Sequence, residues 1–179
     1  MKIKYEGKYL RIVEKDNWEY VERRGMNAAV IIVPVIGAGE FFPKKLVLIK
    51  EYRVPLNCFN ISLPAGLVGD LDHNESIEVA AERELLEETG YKAGRLRFLT
   101  KGVPSSGLAN EMLHFYLADH LELVSAGGGD ETEDIKPILV PISPKADVDL
   151  WLKEREAEGC LIDPKVFMAL YWAEKNETV

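Results

Sequence analysis

Residues 3–24 alternate loosely between apolar and polar positions, as in YLRIVEKDNWEYVERR, the period-two pattern of a short antiparallel ribbon. Ala28 to Ile36 is rich in Val and Ile and reads as a buried strand, with Leu46 to Tyr52 returning beside it. Gly37, Gly39 and Pro43 supply the chain reversal between them. The stretch VPLNCFNISLPAGLVGDLDHN reads as a loop rich in special residues. The strongest helical pattern follows, from about Glu75 to Thr89. Ile77, Ala80, Ala81, Leu85 and Leu86 recur there near helical spacing, and Gly90 stands where a C-cap glycine belongs. Leu96 to Leu99, Leu113 to Ala118 and Ile135 to Ile142 read as further strands, the last preceded by a flexible acidic loop, Ser125 to Asp134, with three consecutive glycines. Asp163-Pro164 starts a closing helix that runs to about Glu174, Asp as N-cap and Pro in the first turn. Strands on both sides of a central helix predict an α/β fold, a mixed sheet sandwiched between helices.

Composition narrows the function mainly by exclusion. A chain of 179 residues, nearly half of them apolar, fits one folded domain or one domain with a small appendage. A formal charge of −8 argues against a nonspecific nucleic-acid binder. It leaves room for a phosphate-bearing small molecule, since a divalent cation inverts the local charge of an acidic pocket. Cys58 and Cys160 are too far apart in sequence to suggest a disulfide framework and suit a reducing cytoplasm. His73, His114 and His120 show no zinc spacing. Met1 to Leu10 is unlike a signal peptide, and the longest apolar run is too short to span a bilayer, so a cytoplasmic protein with no membrane association is expected.

The candidate chemistry lies in Gly69 to Tyr91, GDLDHNESIEVAAERELLEETGY. Glu84, Glu87 and Glu88 fall at i, i+3 and i+4, so their carboxylates crowd one helix face and repel one another. Arg83 relieves part of this by its i+4 pairing with Glu87. An acidic run is ordinarily a solvated face. Oxygen ligands at this density also suit Mg²⁺ or Mn²⁺ bridging carboxylates to substrate phosphates.

The segment resembles the Nudix box over its full length. Gly, five residues, Glu, seven residues, Arg-Glu, an aliphatic, any residue, Glu-Glu, any residue and Gly are matched by Gly69, Glu75, Arg83, Glu84, Leu85, Glu87, Glu88 and Gly90. At average residue frequencies, seven fixed matches arise by chance on the order of once in a million chains of this length. Two features depart from the family pattern. Tyr91 stands where an aliphatic residue is usual, and the Pro64-Ala65-Gly66 turn lies three residues before the glycine that satisfies the box count.

The resemblance implies the Nudix α/β/α sandwich with a mixed sheet and a loop-helix-loop motif. It implies that Glu84 and Glu88 bind Mg²⁺ (or Mn²⁺), with Glu87 as a third ligand or catalytic group and the Ala65 carbonyl completing the coordination. Glu75 and Arg83 would hold the motif by a salt bridge. The general base would come from the acidic loop GGGDETEDI, with Glu131 and Glu133 as candidates and the glycines giving the loop freedom to close.

Outside the box, EYRVP and SLPAG are similar to the ADP-ribose and nucleoside diphosphate sugar branch. NWEYVERR is similar to the N-terminal ribbon that reaches over a partner's active site in dimeric members, which implies a homodimer with residues 1–26 as ribbon and 27–179 as the Nudix domain. Trp18 would then stack on the nucleobase, while Arg23 and Arg53 contact base or phosphates. PSSGLANE occupies the place of a substrate loop. Ser106 there stands where ADP-ribose hydrolases carry proline, and Glu111 would reach the sugar or the metal shell.

The expected activity is hydrolysis of the diphosphate of ADP-ribose or another nucleoside diphosphate sugar, giving a nucleoside monophosphate and a sugar phosphate. The alternatives are a Nudix hydrolase of NADH, dinucleoside polyphosphates or nucleoside triphosphates, and a non-catalytic ligand sensor.

Overall fold

The computed structural model describes residues 1–25, 28–37, 44–70, 72–129, 134–142 and 145–175. Strands β1 (Lys2–Glu6), β2 (Leu10–Lys15) and β3 (Trp18–Arg23) form an antiparallel sheet of their own. Asp16 and Asn17, at φ 52° and 66°, close the β2–β3 hairpin with Lys15 opposite Trp18. Two consecutive positive φ values define the turn whose twist matches paired strands, and Asp and Asn tolerate them.

Strands β4 (Ala28–Ile36), β5 (Lys45–Arg53), β6 (Cys58–Ser62) and β7 (Ala65–Leu67) lead into helix α1 (Ile77–Thr89). After α1 come β8 (Tyr91–Lys92), β9 (Arg95–Gly102), β10 (Met112–Asp119), β11 (Glu122–Leu123) and β12 (Ile135–Pro141). Helix α2 (Lys145–Ala157), strand β13 (Leu161–Ile162) and helix α3 (Lys165–Lys175) complete the order. The main sheet runs β13-β6-β5-β4-β10-β9, with β12 beside β5 and β7 beside β4. β10 lies parallel to β4, while β9 pairs antiparallel with β10 and β5 antiparallel with β4, so the sheet is mixed.

β4 is buried on both faces, which explains its continuous apolar run. Val30 and Ile32 join Ala80, Ala81 and Leu85 of α1 in one core cluster. Ile31, Val33 and Val35 point the other way, into a larger cluster that includes Val148 and Leu152 of α2 and Val166, Ala169 and Ala173 of α3. The sheet is thus sandwiched between α1 on one face and α2 with α3 on the other, an α/β architecture.

The structure differs from the sequence reading in three places. Cys58 to Leu67 is not a loop but carries β6 and β7. Pro64 separates them and Gly66 lies inside β7, so turn-forming residues mask the strand pattern. Helix α2 is not anticipated from the sequence, because among its residues with described burial only Val148 and Leu152 are deeply buried, and the sequence is largely charged. The glycines of the acidic loop are not a free hinge. The Gly128 N–H donates to the Glu88 carbonyl at 3.0 Å and the Gly129 N–H to the Glu87 carbonyl at 3.0 Å. They satisfy carbonyls that the end of α1 would otherwise leave unpaired. A Cβ on Gly127 would lie 2.5 Å from the Thr89 carbonyl carbon, so the close approach requires glycine there.

Across β9 and β10, Arg95 and Asp119 stand opposite each other and join by Nη2–Oδ2 at 2.6 Å. The guanidinium holds the Asp119 carboxyl below the ordinary aspartate value of 3.8. A depressed carboxylate stabilises the fold above the unfolded value, and that contribution is lost as pH falls through the folded one. Acid unfolding should therefore lose this contribution below about pH 4. Asp119→Asn should lower stability at neutral pH and flatten the acid limb, as followed by urea midpoints from pH 7 to pH 3.

Candidate functional site

Helix α1 begins at Ser76, whose side-chain oxygen accepts from the Val79 N–H at 3.3 Å, and ends at Gly90 in the left-handed region at φ 76°. The i, i+4 spacing turns Glu84 and Glu88 toward β7, where both are buried, 8% and 5% exposed. Glu87 lies on the same side but half in solvent. The Ala65 N–H donates to Glu88 Oε2 at 2.9 Å, fixing one carboxylate against the strand.

Arg83 ties the motif together. Its Nε donates to Glu75 Oε1 at 2.8 Å, and Nη1 reaches Glu84 Oε1 at 2.7 Å and Glu87 Oε2 at 3.1 Å. Nη2 donates to the Leu67 carbonyl at 3.1 Å and to Asp70 Oδ1 at 3.0 Å. One planar, rigid fork thus spans helix, loop and strand, a role that the single ammonium of lysine does not fill.

The two candidate turn glycines have separate tasks. A Cβ on Gly66 would fall 1.9 Å from Glu84 Oε1, so Gly66 is the space in which that carboxylate lies. Gly69 adopts φ 81° and donates its N–H to Glu75 Oε2 at 3.1 Å, so it shapes the loop that meets Arg83.

Burial pushes the Glu84 carboxyl up to about 7, against the opposing pull of Arg83 beside it. The Arg83 hydrogen bond holds Glu75 below the usual carboxylate range, and Arg83 itself is held firmly in its charged form, chiefly by Glu75. A carboxylate kept from water and only partly neutralised has much to gain from a nearby cation. Among the described residues no three His, Cys, Asp or Glu side chains gather as a complete metal cage. Glu84, Glu88 and the Ala65 carbonyl are oxygen groups of the kind that could hold a hard cation.

Beside this motif lies a cleft of about 530 Å³. Arg23, Arg53, Ala65, Glu84, Glu87 and Glu111 all line it, along with Arg83. Arg23 Nε donates to Glu111 Oε1, and Arg53 Nη2 pairs with Glu51 Oε1 at 2.7 Å. Trp18 and Ser106 are not in this cleft. They line a separate open cavity of about 630 Å³, and Trp18 is 65% exposed. Glu131 and Glu133 lie outside the described residues. Asp70, Asp163 and Lys165 also line the cleft, although no sequence spacing marks them as site residues. Asp70 follows Gly69 directly, and its tie to Arg83 was hidden in a loop of several acidic residues. Lys165, joined to Asp163 Oδ2 at 2.5 Å, comes from the start of α3, far along the chain.

Residues 26–156 match the family profile described as NUDIX domain. The chain is 31% identical over 136 residues to a methanol dehydrogenase activator of Bacillus methanolicus, covering 75% of this chain and 68% of that protein. It is 34% identical over 118 residues to an ADP-ribose pyrophosphatase of Bacillus subtilis (strain 168), covering 65% and 60%. It is 36% identical over 105 residues to a GDP-mannose pyrophosphatase of Escherichia coli (strain K12), covering 56% and 54%. The chain thus spans little more than half the length of the two pyrophosphatases. A crystal structure of an ADP compounds hydrolase superimposes with a TM-score of 0.69 at 25% identity, over 99% of this chain and 94% of that one.

Gly66→Ala should displace the Glu84 carboxylate while leaving the backbone unstrained, because Gly66 is not among the residues with positive φ. Affinity for Mn²⁺, read from the electron paramagnetic resonance signal of free ion, should fall about 10- to 100-fold. The thermal midpoint should move by only a few degrees, about the effect of 1 kcal/mol. Unchanged Mn²⁺ affinity would remove Glu84 from the cation site.

Proposed function

The chain belongs to the NUDIX domain family, and on that premise we propose that it hydrolyses the diphosphate of a nucleoside diphosphate sugar such as ADP-ribose, releasing a nucleoside monophosphate and a sugar phosphate. The observation that carries the reading is the buried Glu84–Glu88 pair, braced by Arg83 and Ala65 at the edge of a cleft that also holds Arg23 and Arg53. Relatives named for hydrolysis of ADP-ribose and of GDP-mannose support the substrate class. Ser106, in the place of the proline usual in ADP-ribose hydrolases, leaves hexose nucleotides equally in range.

A diphosphate diester resists attack because its own charge repels nucleophiles. Glu84, Glu88 and the Ala65 carbonyl, with Glu87 beside them, would hold Mg²⁺ or Mn²⁺, and such an ion would supply charge neutralisation and a more acidic water. Arg23 and Arg53 bind the phosphates by paired N–H donors, which fixes the scissile bond against the carboxylates. Glu111 orients Arg23 and meets the sugar side of the substrate. Glu131, Glu133 or Glu87 takes the proton of the attacking water. The hydrogen bonds from Gly128 and Gly129 to the end of α1 start the acidic loop beside Glu87 and Glu88, which supports that assignment.

We assign residues 1–26 to a ribbon and 27–179 to the hydrolase domain, and we infer a homodimer in which Trp18 stacks on the base in the partner's cleft. The exposure of Tyr5, Tyr9, Leu10 and Trp18 on the ribbon supports this. No helix among the described residues is long and apolar enough to cross a membrane. The free thiols of Cys58 and Cys160 support a cytoplasmic setting.

Anion-exchange analysis of products from ADP-ribose, ADP-glucose, GDP-mannose, UDP-glucose, NADH and ATP with Mg²⁺ tests the reading. Nucleoside monophosphate should appear from the sugar nucleotides, and Glu88→Gln should slow its release at least about a hundredfold. Cleavage of NADH or ATP alone would overturn the sugar-nucleotide assignment.

A further inference from the structure

Glu22 is a buried carboxylate, 9% exposed, that lines neither the carboxylate cleft nor the cavity beside Trp18. Burying a charge is costly unless it is paired and hydrogen-bonded. One of its oxygens accepts from Arg11 Nε at 2.7 Å across the β2–β3 pair. The other accepts from Asn110 Nδ2 at 2.9 Å, a contact between residues 88 apart in sequence. It is flanked on both sides by further ties between the same two segments. The Val21 N–H donates to the Leu108 carbonyl at 2.8 Å, and Val21 and Ala109 form an isolated bridge. Arg23 donates to Glu111. Three successive residues of β3 are thus fastened to residues 108–111.

The two segments face ligand space on both sides of this seam. Arg23 and Glu111 line the carboxylate cleft, while Trp18, Ser106 and Asn110 line the second cavity. Glu22 sits between, with its neighbours in β3 pointing elsewhere by the two-residue alternation of a strand. We propose that Glu22, through Asn110, is a positioning residue that locks the ribbon and the 103–111 loop into one clamp and sets the register of Arg23 against Glu111. The clamp governs substrate affinity and leaves the bond-breaking step to the α1 carboxylates. This rests on the proposed nucleotide-sugar hydrolysis for its kinetic consequence, whereas the coupling of the two segments does not.

The test uses the full chain with Glu22→Ala, Glu22→Gln, Asn110→Ala and the double alanine variant. Glutamine keeps one acceptor oxygen, for which Arg11 and Asn110 compete. With the best sugar nucleotide of the product screen, Glu22→Ala and Asn110→Ala should each raise KM about fivefold or more while kcat stays within about twofold, and the double variant should be no worse than either. Glu22→Gln, with one acceptor left, should give a KM between those of the wild type and Glu22→Ala. A merely structural role would lower active-site concentration, and with it kcat, and leave KM alone. Unchanged KM in an active protein, or effects that multiply in the double variant, would overturn the clamp and leave the hydrolase reading intact.

Hydrogen exchange on ligand-free protein gives the second readout, and it decides the matter if no sugar nucleotide is cleaved or if Glu22→Ala fails to fold. Asn110→Ala should speed exchange at the amides of 19–23 and 106–111 together, with α1 unchanged. Faster exchange in one segment alone, or in neither, would overturn the proposal.

Discussion

Everything in the site depends on one guanidinium set among carboxylates. Glu75, Glu84, Glu87 and Asp70 all contact Arg83, and without it their mutual repulsion would open the loop away from the helix. Each bond is individually modest, and at an exposed site it would contribute little. Arg83 is only 17% exposed, and its fifth acceptor is the backbone carbonyl of Leu67, so the pairings fix the path of the chain as well as charge. The cluster is still short of cation. Glu84, held out of water and sharing its one arginine with three other acids, keeps a raised proton affinity. On the proposed function, that unfinished neutralisation is what a divalent ion would complete.

The fold serves this arrangement by its two-sided sheet. β4 and β7 place Ala65 and Gly66 beside α1, and the buried contacts of Ala80, Ala81 and Leu85 set the helix at the distance where Glu88 meets the Ala65 N–H. A leucine such as Leu85, fully buried, contributes about 2–5 kcal/mol to that packing. From the opposite face, covered by α2 and α3, Asp163 and Lys165 at the start of α3 line the same cleft. The cleft thereby mixes both signs of charge, with Arg23, Arg53, Arg83 and Lys165 set among Asp70, Glu84, Glu87, Glu111 and Asp163.

How much of this the sequence discloses depends on whether a contact is local. The α1 carboxylates, the Arg83–Glu87 pair and the Gly90 cap follow from helical spacing, and the β4 run announces a strand buried on both faces. The burial of Glu84 is not legible, since three clustered glutamates read as a solvated face until Gly66 is known to vacate the space beside them. Nor is the start of the acidic loop, whose glycines suggest freedom but donate to the end of the helix. Turn residues concealed β6 and β7, and a mostly charged sequence concealed α2. Lys165 and the Glu22–Asn110 contact belong to tertiary structure alone. Trp18 shows the limit from the other side: the family resemblance gives it a base to stack on, while within one chain it faces a different cavity from the carboxylates.

The central claim is that Arg83 and Gly66 prepare Glu84 and Glu88 to hold a divalent cation at the cleft. The most direct measurement is anomalous diffraction from crystals soaked in Mn²⁺. The expected result is a peak within coordinating distance of carboxylate oxygens of Glu84 and Glu88 and of the Ala65 carbonyl oxygen. A peak found only away from α1, with Glu84 bound to Arg83 alone, would contradict it.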